Sequence, residues 1–216
     1  MNKDRKTSLK DQVYREIIEM IINGEIKSDE IITESQLVEH FQVSKSPVRE
    51  ALLQLCTEEI LHSIPRCGYQ IVQINSKVIH DLAELRCYLE LSSLQKLSGI
   101  LTVDMIRQMQ DFLNRDGSES KDMWAHWKDN IRFHLMLTEF VGNTQVTTTL
   151  RRVLSTCTMA YVQVYELDRS SIVFSKGESY HQLIVNALEN HEFYKAHEYL
   201  KTDILLTEKK LLNKAP

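Results

Sequence analysis

The sequence feature that most constrains the fold is a pair of short helical patterns joined by a tight connection. Thr33-Glu34-Ser35-Gln36 matches a capping box, in which a hydroxyl and a side-chain amide satisfy backbone groups at the start of a helix. Ser44 is the predicted N-cap of the next helix, and Pro47 is tolerated in its first turn because amides there have no helical acceptor. The apolar positions of this second helix are Val48, Ala51, Leu52 and Leu55. Two short helices with a tight joint predict a helix-turn-helix.

The elements on either side predict a winged form of this motif. An apolar stripe with a spacing of four residues predicts a preceding helix that ends near Gly24. The stripe consists of Leu9, Val13, Ile17 and Ile21. After the pair of helices, Leu61–Ile64 and Tyr69–Ile74 are short β-prone runs, and Pro65-Arg66-Cys67-Gly68 joins them. These residues predict a β-hairpin with a basic tip, which is a wing.

The remaining two thirds of the chain show only helical patterns. The predicted helices span residues 76–98, 102–115, 120–141, 143–168, 176–190 and 191–213. The connections between them are short, which favours antiparallel neighbours in a bundle. The predicted fold class is therefore mainly α, with a winged helix-turn-helix in residues 1–75 and an all-α antiparallel bundle of about six helices in residues 76–216.

Composition and charge exclude several classes of protein. The chain has 216 residues, 43% of them hydrophobic, which is sufficient for a buried core. It has no apolar run of the length that a membrane span needs, and the polar N-terminus lacks a signal peptide, so we expect a cytoplasmic protein with no membrane partner. The four cysteines are too scattered for a CxxC pair, which argues against a zinc ribbon or a redox motif. With a formal net charge of -4, affinity for DNA would have to come from a local positive patch.

Such a patch is predicted at the start of the second helix of the helix-turn-helix. The hydroxyls, the ammonium group and the free amides of Ser44-Lys45-Ser46 can bind phosphate there, with help from the helix dipole. Arg49 follows one turn later on the same face, where its guanidinium could bind a guanine in the major groove. Arg66 at the wing tip, beside Gly68, could follow a phosphate or the minor groove. A solvated helix end with an incidental arginine is the alternative interpretation.

These residues resemble the GntR family of transcription regulators. The resemblance rests on Gly24, on Thr33-Glu34-Ser35-Gln36-Leu37, on residues 43–52 and on Gly68-Tyr69 in the wing. It implies that the N-terminal winged helix binds double-stranded DNA. The predicted DNA-contacting residues are Ser35, Ser44, Lys45, Ser46, Pro47, Arg49, Arg66 and Gly68. Ser35 and Lys45 stand where many members of the family have Arg, and a lysine cannot form the bidentate contact that an arginine offers.

The resemblance continues into the helical part of the chain. Arg86-Cys87-Tyr88-Leu89-Glu90 is similar to the Arg-x-x-Leu-Glu opening of the FCD effector domain in the FadR-type subfamily. Six helices in this length resemble the shorter, VanR-like version of that domain. The resemblance implies a ligand pocket within the bundle, a small carboxylate as effector, and often a metal ion bound by one Asp and three His residues.

The positions of those metal ligands fall on Asn130, His134, His181 and Asp203. The identities are shifted, because the family has Asp at the first of these positions and His at the last. We predict that Asp203 compensates for Asn130 and that a divalent metal ion is bound, with its preference moved from zinc or nickel toward manganese. A hydrogen-bonded polar cluster without metal is the alternative.

Arg86 is the candidate residue for neutralising the carboxylate of an acidic effector, since a guanidinium binds a carboxylate through two parallel hydrogen bonds. The alternative for Arg86 is an ion pair with Glu90, four residues later on the same helix.

The function predicted from the sequence is that of a ligand-responsive transcription regulator. We expect a repressor that binds a palindromic operator as a homodimer and is controlled by a small organic acid. One alternative is a metal-dependent enzyme on a helical bundle, but no HExxH motif, nucleophile elbow or clear acid/base pair accompanies the candidate ligands, so we expect no enzyme. Another alternative is a bundle that only contacts other proteins and senses no ligand.

Overall fold

The computed structural model describes residues 8–115, 123–166 and 180–213 of the chain. The first elements are α1 (Leu9–Ile22), α2 (Glu34–Phe41), α3 (Lys45–Thr57), β1 (Leu61–Ile64) and β2 (Gly68–Ile71). Six helices follow: α4 (Ser76–Ser98), α5 (Val103–Arg115), α6 (Met123–Val141), α7 (Thr144–Glu166), α8 (Tyr180–Glu189) and α9 (Phe193–Leu212). The predicted fold class, a winged helix-turn-helix followed by a helical bundle, is confirmed.

The chain forms two compact units. The N-terminal unit consists of Met1–Asn75 together with Ser155–Arg169, and the helical unit consists of Ser76–Leu154 together with Ser170–Pro216. Helix α7 therefore contributes residues to both units. The sequence predicts one domain over residues 76–216, and no local pattern marks a division within α7.

In the N-terminal unit, α3 packs against α1, α2 and β1. The α3 residues predicted to face inward are all buried: Val48, Ala51, Leu52 and Leu55. The stripe predicted on α1 is only partly correct, because Val13, Ile17 and Ile21 are buried whereas Leu9 is 56% exposed at the first turn. The predicted capping box of α2 is present: Thr33 Oγ1 accepts from the Gln36 amide at 3.2 Å, and Gln36 Oε1 accepts from the Thr33 amide at 2.8 Å.

The wing is a two-stranded antiparallel sheet that also pairs with the loop before α2. Leu61 faces Ile71 and Ile64 faces Gly68, so β2 is shorter at its C-terminal end than the predicted run to Ile74. Tyr69 adds a bridge to Ile32, with amide-to-carbonyl distances of 2.8 and 2.9 Å. This bridge joins the wing to the start of the helix-turn-helix.

The segment that follows the wing is held by a side chain from α7 within the same unit. Gln163 Nε2 donates to the carbonyl of Val72 at 2.7 Å, and Gln163 Oε1 accepts from the amide of Ile74 at 3.0 Å. These backbone groups lie outside any strand, and one amide side chain gives both of them a partner.

In the helical unit, α4 packs against α6 and α9, while α8 packs against α9 and α5. The main core is formed by apolar side chains from five of these helices. Its most buried members include Leu97, Met109, Phe133, Leu137, Ile184, Val185, Leu188, Ala196, Leu200 and Ile204. None of the helices in the described ranges is both long and apolar enough to cross a membrane.

We expect Gly68→Ala to disrupt the link between the wing and the loop before α2. Gly68 has a φ of +145°, and a Cβ atom there would lie 2.3 Å from the carbonyl oxygen of Ile32. The strain should lower the free energy of unfolding of the N-terminal unit by about 1 to 3 kcal/mol. Urea unfolding measures the loss, with Gly99→Ala as the control because its Cβ would meet its nearest neighbour at an ordinary 3.6 Å. Equal stability of the two variants would contradict the expectation.

Candidate functional site

The first candidate site is the N-terminal end of α3, the second helix of the helix-turn-helix. Ser44 occupies the predicted N-cap position, but its side chain makes no capping hydrogen bond. Ser46 Oγ donates to Glu50 Oε1 at 2.8 Å, one turn along the same helix. The exposed Ser44, Lys45 and Ser46 thus surround a helix start of the kind that binds phosphate.

Lys45 and Arg49 point from the same face of α3 toward one carboxylate on α2. Lys45 Nζ lies 3.2 Å from Glu34 Oε2, and Arg49 Nε lies 3.9 Å from Glu34 Oε1. The two cationic side chains are 69% and 66% exposed. Tyr69 of β2 donates its hydroxyl to Glu34 Oε1 at 3.2 Å. The two cations predicted to contact DNA thereby share one carboxylate, whose role no local sequence pattern indicates.

The other predicted DNA contacts lie on α2, α3 and the wing. Ser35 is exposed in the first turn of α2, and Pro47 is half-buried in the first turn of α3. Arg66 is exposed in the wing turn, with a positive φ of 68°. Gly68 has a role in the fold, since its missing side chain makes room for the carbonyl of Ile32. The contacts of all of these residues with DNA stay predictions.

The second candidate site is a polar centre inside the helical unit, built around His134 of α6. His134 is fully buried, and its Nδ1 lies 2.5 Å from Glu90 Oε2 of α4. Its Nε2 lies 3.1 Å from Asp203 Oδ2 of α9. Because a carboxylate accepts hydrogen bonds, Glu90 keeps a proton on Nδ1 and turns Nε2 toward Asp203.

His181 of α8 completes this centre from the opposite side. Its Nε2 lies 3.5 Å from Asp203 Oδ2, and its ring stacks on the buried Phe133 with centroids 4.0 Å apart. One ligand atom from each of His134, His181 and Asp203 lies within 4.8 Å of the others. The structure therefore brings together three of the four predicted metal ligands, from three helices.

These three residues fit a divalent metal ion. Ligands at the usual zinc distances stand roughly 3.3 to 3.6 Å apart in a tetrahedral site, close to the spacings at Asp203. His134 Nε2 and Asp203 Oδ2 are buried, and neither has a hydrogen-bond partner among the described residues, although they lie 3.1 Å apart. A cation shared between these two atoms, either a proton or a metal ion, would give both of them a partner.

Asn130, the fourth predicted ligand, lies one turn before His134 on α6. Its Nδ2 is buried and lacks a hydrogen-bond partner among the described residues. An amide contributes an oxygen ligand without a formal charge, so the charge of the site comes from Asp203.

The electrostatics of the polar centre favour a positive charge at His134. Burial alone would raise the pKa of Glu90, yet Arg86 and His134 lower it below its usual range. Burial also opposes ionisation of Asp203, but the two imidazoles hold its pKa well below its usual range. Burial would lower the pKa of His134, and Glu90 with Asp203 raises it instead. Two ionised carboxylates on either side of one imidazole create a place for a proton or a metal cation.

Arg86 forms the ion pair with Glu90 that was the alternative to effector binding. Arg86 Nε donates to Glu90 Oε1 at 2.7 Å, and both side chains are buried. The pair is therefore part of the polar centre, since the other oxygen of Glu90 contacts His134. A role of Arg86 toward an effector stays a prediction.

Several residues of the two sites were missed or interpreted differently in the sequence analysis. Glu90 was considered only as a partner of Arg86, and Phe133 had no role in the site. The contact of Tyr69 with Glu34 joins residues 35 positions apart, which no local pattern reveals. The Arg-x-x-Leu-Glu stretch was the one signal that could have pointed to Glu90, because it places a carboxylate one turn after a buried arginine.

Comparison with known families matches both parts of the chain. The family described as "Bacterial regulatory proteins, gntR family" matches residues 9–71. The family described as "FCD domain" matches residues 81–204, which is more than half of the chain. The first match contains α1 to β2, and the second contains the whole polar centre.

Three relatives are named as transcription regulators. An uncharacterized HTH-type transcriptional regulator in an unstable DNA locus of Streptomyces ambofaciens is 27% identical over 64% of this chain and 58% of that protein. The uncharacterized regulator YdhC of Bacillus subtilis (strain 168) is 27% identical over 69% of this chain and 68% of that protein. The gluconate operon transcriptional repressor of the same strain is 31% identical over 50% of this chain and 44% of that protein. The matched stretch thus spans less than two thirds of the Streptomyces relative.

Solved structures support the fold. E. coli McbR/YncC has a TM-score of 0.78 at 19% identity, covering 95% of this chain and 98% of that one. Lar, which controls the expression of the Listeria monocytogenes agr system, has a TM-score of 0.61 at 18% identity, covering 98% and 99%. At these identities the likeness shows the fold alone.

We expect Arg86→Met to destabilise the helical unit strongly. The substitution would leave one oxygen of the buried Glu90 carboxylate without its arginine partner, and breaking a buried ion pair costs about 3 to 5 kcal/mol. Denaturant unfolding followed by circular dichroism measures the loss. Arg107→Met is the matched control, because Arg107 forms an exposed ion pair with Asp104 and should have a much smaller effect. Wild-type stability of Arg86→Met would show that the pair with Glu90 does not support the fold.

Proposed function

Because the chain belongs to the GntR family of DNA-binding transcription regulators and carries an FCD domain, we propose that it is a ligand-responsive repressor. It binds a palindromic operator as a homodimer, and a small carboxylate in the helical unit controls that binding. The observation that carries the proposal is the exposed pair Lys45 and Arg49 on one face of α3, at a helix start suited to phosphate. A regulator of this kind acts in the cytoplasm on double-stranded DNA.

Each DNA-binding head supplies a small number of contacts. Lys45 and the free amides at the start of α3 bind phosphate, Ser44 and Ser46 add hydroxyls, and Arg49 reads a base edge in the major groove. Arg66 on the wing contacts the backbone or the minor groove. One head buries little surface, so two heads on a two-fold symmetric operator double the contacts and favour a homodimer. Repression is supported by the name of the gluconate operon repressor among the relatives.

The polar centre is the proposed sensor. His134, His181 and Asp203 would hold a divalent metal ion, with Asn130 as a weaker fourth ligand. These residues would thereby place a positive charge where the carboxylate of an effector can bind. With one carboxylate and two imidazoles as the main ligands, manganese, zinc and nickel are all candidates. In the homodimer, one arrangement of the two winged helix-turn-helix domains fits the operator and another does not. The effector changes DNA binding only to the extent that its own affinity differs between these two arrangements.

We expect Arg49→Ala and Lys45→Ala to weaken operator binding in different ways. Loss of Arg49 should cost about 1 to 3 kcal/mol on the operator and relax base choice at one position. Loss of Lys45 should weaken binding to all duplexes and lower the slope of log K against log salt by about one. Fluorescence anisotropy on operator and unrelated duplexes measures both effects. Lys27→Ala, at an exposed lysine between α1 and α2, is the control. Unchanged operator affinity in both variants would contradict the proposed reading face.

We expect His134→Ala and Asp203→Asn to lose bound metal. Protein purified without a His-tag and dialysed against Mn²⁺, Zn²⁺ or Ni²⁺ should hold a stoichiometric ion in the wild type and in His197→Ala, a control on α9 whose side chain is 40% exposed. Small hydroxy acids and sugar acids should raise the Tm of the metal-loaded wild type and of His197→Ala but not that of the two site variants, because ligands stabilise the state that they bind. Mass spectrometry of each protein measures whether the bound metal is lost. Equal content in wild type and both site variants would remove the metal from the proposal.

A further inference from the structure

Glu34 is the centre of a polar cluster on the proposed DNA-reading face. It is the first residue of α2, and its carboxylate contacts Lys45 and Arg49 of α3 at 3.2 and 3.9 Å. Tyr69 of β2 donates to the same carboxylate at 3.2 Å. One side chain therefore connects the first helix of the motif, the second helix and the wing.

A carboxylate at this place opposes the simplest purpose of the patch. The N-terminal unit binds DNA through local positive charge, and Glu34 neutralises part of it. If attraction to phosphate were the only requirement, a neutral residue at position 34 would serve better. It would leave Lys45 and Arg49 free to neutralise phosphates, and each phosphate that a protein neutralises releases counterions and strengthens binding. The carboxylate must therefore contribute something other than affinity.

Its contribution is to limit the freedom of two long side chains. Lys45 and Arg49 are more than 60% exposed, and such side chains have many rotamers, whose loss on binding opposes association. Glu34 is itself only 20% exposed and is held from the wing side by Tyr69. Burial and the adjacent carboxylate raise the pKa of the Tyr69 hydroxyl, so it remains protonated and continues to donate.

We propose that Glu34 is a positioning residue for sequence discrimination, which orients Arg49 and Lys45 in the free protein at the expense of non-specific affinity, with Tyr69 as its anchor. This inference rests on the proposed DNA binding. The simpler role of Glu34, a negative charge at the N-terminus of α2 that interacts with the helix dipole, needs no contact with α3 or the wing.

Three variants of the full chain test the proposal on an operator selected from genomic fragments and on an unrelated duplex. Glu34→Gln should bind the unrelated duplex several-fold more tightly, with a steeper salt dependence, and its ratio of operator to unrelated affinity should fall roughly fivefold to tenfold. Tyr69→Phe keeps the ring and all charges, so the ratio should fall while the salt dependence stays that of the wild type. Glu34→Asp keeps the charge for the dipole but is one methylene shorter, and the ratio should fall as well.

Glu39→Gln is the matched control, because it removes the same charge from an exposed position of the same helix. Glu39→Gln should change the affinity for both duplexes by the same factor, so the ratio of operator to unrelated affinity should stay that of the wild type. The positioning role is overturned if Glu34→Gln changes the ratio no more than Glu39→Gln, or if Glu34→Asp discriminates like the wild type. Failure of the wild type to bind any fragment at low salt would instead refute the proposed function. Circular dichroism of each variant confirms that the change in ratio is not caused by unfolding.

Discussion

A buried carboxylate, Glu90, determines how the helical unit is organised. An ionised group without solvent must have charged or hydrogen-bonding partners, and Glu90 has one on each oxygen. Arg86 satisfies one oxygen from the same helix, and His134 satisfies the other from α6. His134 then points its second nitrogen toward Asp203 of α9, which also lies beside His181 of α8. Four helices thus meet at a chain of charges inside an apolar core. Apolar residues of similar volume could give comparable stability, which favours a functional reason for keeping these charges.

The same arrangement occurs at the surface of the N-terminal unit with a different result. Glu34, like Glu90, places one carboxylate between two cationic or potentially cationic groups. At Glu90 the lack of water makes each contact strong, so the arrangement fixes the ring of His134. At Glu34 the partners are largely exposed and each contact is weak, so Lys45 and Arg49 are oriented but can exchange the carboxylate for a nucleic acid. Burial decides whether such a cluster supports a fixed site or an exchangeable one.

Local signals predicted the elements well, and contacts between distant residues account for what was missed. The helices of the bundle begin and end within a few residues of the predicted bounds wherever both lie in the described ranges, because Gly residues and polar clusters mark their ends. The predicted starts at residues 120 and 176 and the predicted end at residue 168 lie outside the described residues. The capping box at Thr33 was predicted correctly since all its atoms lie within four residues. Neither Gln163, which pairs with backbone 91 positions away, nor the stacking of Phe133 on His181 has a local signature. The exposure of Leu9 shows the opposite error, a periodic pattern that extends one turn beyond the core.

At the polar centre, Asn130 stands where the family pattern has Asp, and Asp203 stands where it has His. The two differences compensate each other in charge, although the carboxylate is on a different helix. In the pattern that the family resemblance implies, the carboxylate is on the helix of His134, at the position of Asn130, and the last helix supplies an imidazole. Here Asp203 on α9 has the charge, and it lies within 3.5 Å of both imidazoles. A carboxylate supplied by either helix can neutralise the same cation, because the ligand atoms converge on one place. The number of charges at the centre is therefore kept while one imidazole is lost, and in the proposed metal site that loss of a nitrogen ligand would shift the preference toward ions that favour oxygen.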